Sequence, residues 1–161
     1  GGMVLFERCD RLNVALCVIA ERFDLVEQRR ALEQAYGTGA MRPGRDRVTY
    51  ISPEITVGDI AASDLFAAQA IIARREARLG VRSVYRSVFV SADPTLEPTL
   101  ATWNGMWAAT LGAAAAPDVF LAKSLAEAGT PMGLRDLPGA FAPLLERAEA
   151  LRRSDPLGEG P

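Results

Sequence analysis

Arg47-Val48-Thr49-Tyr50-Ile51 is the stretch that decides the fold, because β-branched and aromatic residues are concentrated in it. It is followed by a turn, Ser52-Pro53-Glu54-Ile55-Thr56-Val57-Gly58-Asp59, in which proline and glycine interrupt regular structure. An amphipathic helix comes next, and its apolar face is formed by Leu65, Ala68, Ile72 and Leu79. A strand, a turn and a helix in this order make one unit of an α/β fold.

Two apolar runs precede this unit, at residues 3–8 and 14–20. The polar residues between them are few, so the two runs predict a β-hairpin. The second run, Val-Ala-Leu-Cys-Val-Ile-Ala, does not alternate between apolar and polar residues. A strand of this kind is buried on both faces, so we expect it to occupy a central place in the sheet.

The rest of the chain repeats the strand–helix unit, with further strands predicted at residues 81–91 and 118–122. The helix predicted between them carries the most regular apolar stripe: Leu96, Leu100, Trp103, Trp107 and Leu111. We therefore predict an α/β fold with a mixed, mostly parallel five-stranded sheet and helices packed on it. The predicted order is β-β-α-β-α-β-α-β-α, plus an extra C-terminal helix.

The prediction divides the chain into an α/β domain at residues 3–134, an appended C-terminal helix at 135–153 and a flexible tail at 154–161. Phe141, Leu144 and Ala148 give the appended helix an apolar face. That face must be buried, and the sequence leaves open whether it packs on its own domain or on a neighbouring subunit.

Composition excludes several classes of partner. The chain has 161 residues and a net charge of -2, which suits one domain without a basic face for nucleic acid. No apolar run is long enough to span a membrane, and no signal-peptide pattern is present. We expect no nucleic acid, no membrane partner and a cytoplasmic location.

The residue types also argue against most catalytic chemistry. The chain contains no histidine, the commonest general base and metal ligand. Its two cysteines, Cys9 and Cys17, are too far apart for a Cys-x-x-Cys site and are expected to be free thiols in a reducing compartment. No nucleophile motif or glycine-rich phosphate loop occurs. We expect no cofactor, no metal and no enzymatic activity.

Two segments give the chain a resemblance to the STAS domains, the fold of anti-sigma factor antagonists and of small STAS-like bacterial proteins. One is Ile60-Ala61-Ala62-Ser63-Asp64-Leu65, which stands where that family turns from its third strand into its second helix. The other runs from Asp118 to Ala128, with a Phe-containing strand, a Leu-x-x-Ala helix and a Gly-Leu exit at Gly133-Leu134. The resemblance covers residues 3–134 and implies a regulatory module that binds proteins.

The same resemblance places Ser63 at the serine that a partner kinase phosphorylates in the antagonists. Here Asp64 replaces the glycine that follows, and Ala61 and Ala62 replace the preceding Asp and Ser. A carboxylate beside Ser63 opposes an added phosphate, so the phosphorylation switch does not follow from the resemblance. The resemblance brings no catalytic residue.

Asp59, Ser63 and Asp64 form the first candidate site, for a protein partner or an anion at the start of a helix. The alternative is an ordinary helix cap, supplied by Ser63 or Asp59. The carboxylates Glu54, Asp59 and Asp64 also suggest an acid–base or cation site. Their spacing matches no metal-binding loop and favours solvated turn residues.

Trp103, Met106 and Trp107 form the second candidate site, as a wall of a ligand pocket or as a dimer face. The alternative is simple core packing against the sheet. We therefore expect a non-enzymatic, STAS-like regulatory or protein-interaction module that forms a homodimer. The alternative function is binding of a small apolar or amphipathic ligand between the sheet and the Trp103/Trp107 helix.

Overall fold

The computed structural model describes residues 2–78, 85–111 and 118–154. Within these ranges, the side chains of residues 76–78, 107, 110 and 111 lie outside the description. The described strands form a single sheet of five. They are β1 (Met3–Cys9), β2 (Val14–Ala20), β3 (Asp46–Ile51), β4 (Arg86–Val90) and β5 (Asp118–Ala122).

Helices connect these strands and cover both faces of the sheet. They are α1 (Leu25–Thr38), α2 (Ala62–Arg78), α3 (Leu96–Leu111), α4 (Leu125–Ala128) and α5 (Leu137–Arg153). Two short 3-10 turns, Val57–Asp59 and Thr130–Met132, precede α2 and α5. The prediction of an α/β fold with a five-stranded mixed sheet is confirmed.

The strands lie in the sheet in the order in which they occur in the chain. β1 and β2 are antiparallel, whereas the pairs β2–β3, β3–β4 and β4–β5 are parallel. The hairpin register sets Phe6 opposite Cys17 and Cys9 opposite Val14. The two cysteines are therefore not cross-strand partners, and both are free thiols.

Strand β2 is an interior strand of the sheet, between β1 and β3, and it is buried on both faces as its unbroken apolar run predicts. All of its residues from Val14 to Ala20 are buried. The fourth strand is shorter than expected: the predicted strand at residues 81–91 is observed only from Arg86 to Val90, and residues 81–84 lie outside the described part of the chain.

Two hydrophobic cores lie on opposite faces of the sheet. On one face, the even-numbered residues of β2, such as Leu16 and Val18, pack with Val48 beneath α4 and α5. On the other face, Cys17 and Ile19 pack with Trp103 beneath the layer that includes α3. Side chains alternate between the faces of a strand, so the two helical layers cover different residues of the same strand.

The C-terminal helix α5 packs on its own sheet. Phe141 is 0% exposed, and its ring centroid lies 6.3 Å from that of Tyr50 on β3. Leu144 and Ala148 are buried in the same core. Of the two alternatives that the sequence left open, the apolar face of α5 therefore packs on its own domain.

Replacing Phe141 by alanine should lower the free energy of unfolding by about 3–5 kcal/mol, because a fully buried ring leaves a cavity under α5. Leu151→Ala on the same helix is the control, since Leu151 is 42% exposed and should lose far less. Urea unfolding of both variants measures the difference. An equal loss of unfolding free energy in the two variants would mean that α5 does not pack on the core through Phe141.

Candidate functional site

The first candidate site lies at the start of α2. This helix begins at Ala62, and the carbonyl of Ala61 accepts hydrogen bonds from the N–H groups of Asp64 at 2.9 Å and Leu65 at 3.2 Å. Ala61 therefore occupies the position before the first helical residue. Ser63 is exposed in the first turn, and Asp59 lies in the preceding 3-10 turn. The expected helix cap at Ser63 or Asp59 is wrong, because the helix starts between them.

A carboxylate from another strand end holds the 3-10 turn in place. Asp93 follows β4, and its Oδ2 accepts a hydrogen bond from the N–H of Val57 at 2.7 Å. Its Oδ1 accepts from the N–H of Thr95 at 2.9 Å and from its hydroxyl at 2.7 Å. The hydrogen bonds from Thr95 and Val57 hold the pKa of Asp93 below its ordinary value. Asp93 therefore links the segment before α3 to the segment before α2.

An open cleft of about 350 Å³ lies beside this turn, at the carboxyl ends of β2 and β3. Asp59 and Asp64 line it together with Glu21, Glu54 and Arg22. Four acidic residues and one arginine thus line the cleft, and the Glu54 carboxylate is additionally paired with Arg152. The cleft also has an apolar part formed by Phe23, Ile55 and Ile60. The structure brings Asp59 and Asp64 into one site, with Ser63 between them in the chain. The charge of the cleft favours a cationic ligand over an anion.

One carboxylate of the cleft is tied to α5. Arg152 donates from Nη2 to Glu54 Oε2 at 2.8 Å and to the hydroxyl of Ser52 at 3.1 Å. The N–H of Glu21 donates to the same Glu54 carboxylate at 3.1 Å. Partial burial alone would raise the pKa of Glu54, but hydrogen bonds and the charge of Arg152 outweigh it and lower that pKa below its ordinary value. Glu54 thereby connects the ends of β2, β3 and α5.

The second candidate site is split by the structure. Trp103 is 3% exposed and packs edge-on against Phe89, with the ring centroids 6.2 Å apart. It is therefore a core residue within this chain and is not available to a dimer face. Met106 is half-buried, and the side chain of Trp107 lies outside the described residues.

A small internal cavity gives Trp103 a second role, because its ring lines a space of about 50 Å³ between the sheet and the helices α1, α2 and α3. Phe6, Ile19, Ile72 and Leu100 supply further apolar wall. This cavity lies between the sheet and the Trp103 helix, and ligand binding there stays a prediction.

The same cavity contains polar groups that sequence reasoning missed. Arg47 of β3 and Gln69 of α2 line it, and both are buried. Gln69 Nε2 donates to the Tyr85 hydroxyl at 2.6 Å, and Arg47 Nη2 donates to it at 3.4 Å. Burial raises the pKa of the neighbouring Cys17 to about 12, against opposing effects of the Arg47 charge and a Thr49 hydrogen bond. The missed signal was the period of two, which places Arg47, Thr49 and Ile51 on one face of a central strand.

The described residues contain neither a metal-binding cluster nor a membrane-spanning helix. Among the described residues, no group of three or more histidine, cysteine, aspartate or glutamate side chains is arranged to hold a metal ion. Within the same part of the chain, no helix has both the length and the apolar character needed to cross a bilayer. No family model, no curated protein and no solved structure matches this chain.

The lowered pKa of Glu54 predicts how stability responds to acid. A depressed folded-state pKa contributes stability above the ordinary value of 4.5, and this contribution is lost as the pH falls through the lower folded-state value. Glu54→Gln should therefore lose less stability than the parent protein between about pH 6 and pH 3. Urea unfolding at each pH measures this.

Glu146→Gln is the matched control, because Glu146 is an exposed carboxylate on α5. Its acid response should follow that of the parent protein. Superimposable pH profiles for Glu54→Gln and the parent would show that the contacts with Arg152 and Glu21 do not stabilise the fold.

Proposed function

We propose that this chain is a non-enzymatic regulatory or protein-interaction module that resembles the STAS domains. The order of its elements supports the proposal, because the segment from Ile60 to Leu65 follows the third strand and opens the second helix. The second segment of the resemblance also supports it, since strand β5, with Phe120, runs into the helix Leu125–Ala128. In the absence of a matching family, these two segments and the element order are the grounds for the likeness.

The acidic cleft is the observation that carries the proposal. Its carboxylates Glu21, Asp59 and Asp64 lie around an apolar part that contains Phe23 and Ile60. A protein segment with lysine or arginine beside an apolar side chain would match both features. Exposed charges of this kind mainly set the rate and specificity of association, and the apolar contact supplies affinity. We therefore propose a basic, partly apolar segment of a partner protein as the ligand of this cleft.

Ser63 is exposed, and the residue that follows it in the chain, Asp64, lines the cleft. An anion or a phosphate group at this place would meet the carboxylates of Asp59 and Asp64, which repel it. The geometry thus favours the protein-partner interpretation of the Asp59, Ser63 and Asp64 site over the anion interpretation. The homodimer and the cytoplasmic location stay predictions, since no described contact bears on them.

A second candidate function is binding of a small apolar or amphipathic ligand between the sheet and α3. The cavity lined by Trp103, Phe6 and Ile72 favours it. This cavity lies between the sheet and its helical layer, whereas the acidic cleft lies at the strand ends. The two sites share Phe23, but the carboxylates of the cleft and the Trp103 wall of the cavity belong to different sites.

A photo-crosslinking amino acid at position 63 should capture the partner in cells that express this chain. We expect a discrete crosslinked product whose contact peptide is basic, because the cleft beside Ser63 is acidic. Asp59→Lys introduced into the same protein should reduce that product about tenfold, since it reverses a charge that lines the cleft. Mass spectrometry of the crosslinked peptides identifies the contact.

The matched control places the crosslinker at Glu146, which is exposed on α5, and pairs it with Glu146→Lys as the charge reversal. The crosslinker at position 146 should capture far less of the partner than the one at position 63. Glu146→Lys should leave the product formed at position 63 unchanged. Equal capture at positions 63 and 146, or a product that Asp59→Lys leaves unchanged, would contradict the proposed docking surface.

A further inference from the structure

Arg47 is a charged side chain in the interior of the protein. It is 5% exposed, and none of the carboxylates whose side chains are described forms an ion pair with it. Its Nε is buried without a hydrogen-bond partner among the described residues. Among the described residues, its guanidinium contacts Tyr85, through the 3.4 Å hydrogen bond and with the ring centroid 5.4 Å from the guanidinium carbon.

A buried guanidinium needs a counter-charge, because arginine does not lose its proton in proteins. An isolated buried charge is strongly unfavourable, and a paired one is tolerated. The described neighbours do not supply the pairing: Thr49 and Gln69 are uncharged, and the raised pKa of Cys17 keeps its thiol protonated at neutral pH. The chain segment at residues 79–84 contains no carboxylate in its sequence.

The cavity beside Arg47 offers the space for such a counter-charge. Its volume is about 50 Å³, and a water-sized group needs about 10–15 Å³ in this measure, so it holds about three to five such groups. Gln28 also lines it, with a buried Oε1 that has no partner in the described part of the chain. Rotation of that amide would turn its N–H donors toward the same space. The opposite wall is apolar and includes Trp103 and Ile72.

We propose that this cavity binds a small monocarboxylate with a short aliphatic tail. The planar guanidinium of Arg47 matches a carboxylate in a two-pronged hydrogen bond, and a single positive charge balances a single negative one. The tail packs against Trp103 and Ile72. A phosphate dianion would bring two negative charges against the single positive charge of Arg47, and the volume restricts the ligand to the size of acetate or propionate.

This inference rests on the second candidate function and deepens it by naming the class of ligand. It does not depend on the acidic cleft, which lies at the strand ends. Failure of the carboxylate assignment would leave the cleft proposal unaffected. A neutral apolar compound that binds independently of Arg47 would keep the second candidate function and overturn only this inference.

Thermal unfolding of the full chain in sodium propionate is the test. At a concentration several times the dissociation constant, the unfolding midpoint should rise by about 2–4 °C relative to sodium chloride of equal ionic strength. Propylammonium chloride, which also has three carbons but the opposite charge, should give no rise. Arg47→Gln should abolish the effect of propionate, because it removes both the positive charge and the guanidinium that forms the two-pronged hydrogen bond.

Arg86→Gln is the matched control, since Arg86 is an exposed arginine of β4 whose guanidinium pairs with Asp46. It should keep the full response to propionate. Ala68→Leu is a second variant that keeps Arg47 and fills the cavity, which Ala68 lines. It should weaken propionate binding about tenfold or more through lost space, so the test does not depend on Arg47→Gln being folded.

Two results would overturn the proposal and leave a cavity that holds water. One is an unfolding midpoint that propionate raises no more than chloride does. The other is an equal rise with propionate in Arg47→Gln and in the parent protein. Glu76 of α2, whose side chain lies outside the described residues, provides a further check. If Glu76→Gln and Arg47→Gln each destabilise the protein and the double variant is no worse than either, the chain supplies its own counter-charge. That result would also overturn the proposal.

Discussion

Coverage of both faces of the sheet is the constraint on which the rest of this structure depends. Helices α4 and α5 cover one face, and α1, α2 and α3 cover the other, so the central strands have no side open to water. Consecutive residues of β3 from Arg47 to Thr49 are therefore buried, whether or not they are apolar. Val48 satisfies this requirement as an ordinary core residue. Arg47, its neighbour on the opposite face, satisfies it only with a polar environment and a counter-charge.

The two proposed binding regions differ because the sheet provides two kinds of surface. Its carboxyl edge is open, and the turns that follow β2 and β3 place carboxylates there in contact with water. Charges at such an edge are screened, so they suit recognition of another protein. The cavity beneath α2 is narrow and its lining is largely apolar, so a single charge there has a strong effect on any small ligand. One fold thus separates surface recognition from interior recognition.

Much of the architecture could be predicted from the sequence, because it follows from local patterns. The apolar run of β2 predicted a central strand, and the stripe through Trp103 predicted a helix facing the core. The site was predicted less well. Asp59 and Asp64 were expected near one another, but the link from Asp93 to Val57 joins residues 36 positions apart and leaves no local pattern. The burial of Arg47 was missed for a similar reason: an arginine at the start of a strand is ordinary until helices cover both faces.

The reactivity of the two thiols tests the two-sided coverage most directly. Cys17 is buried on β2 beneath the helical layer, whereas Cys9, at the end of β1, is only half-buried. In a Cys9→Ser variant, the remaining Cys17 should react with a thiol reagent only through global unfolding, and its rate should rise with urea as global unfolding does. In a Cys17→Ala variant, the remaining Cys9 should react much faster and with little dependence on urea. Equal rates for the two thiols in native buffer would contradict the account, because they would show that β2 is open to solvent on the face that holds Arg47.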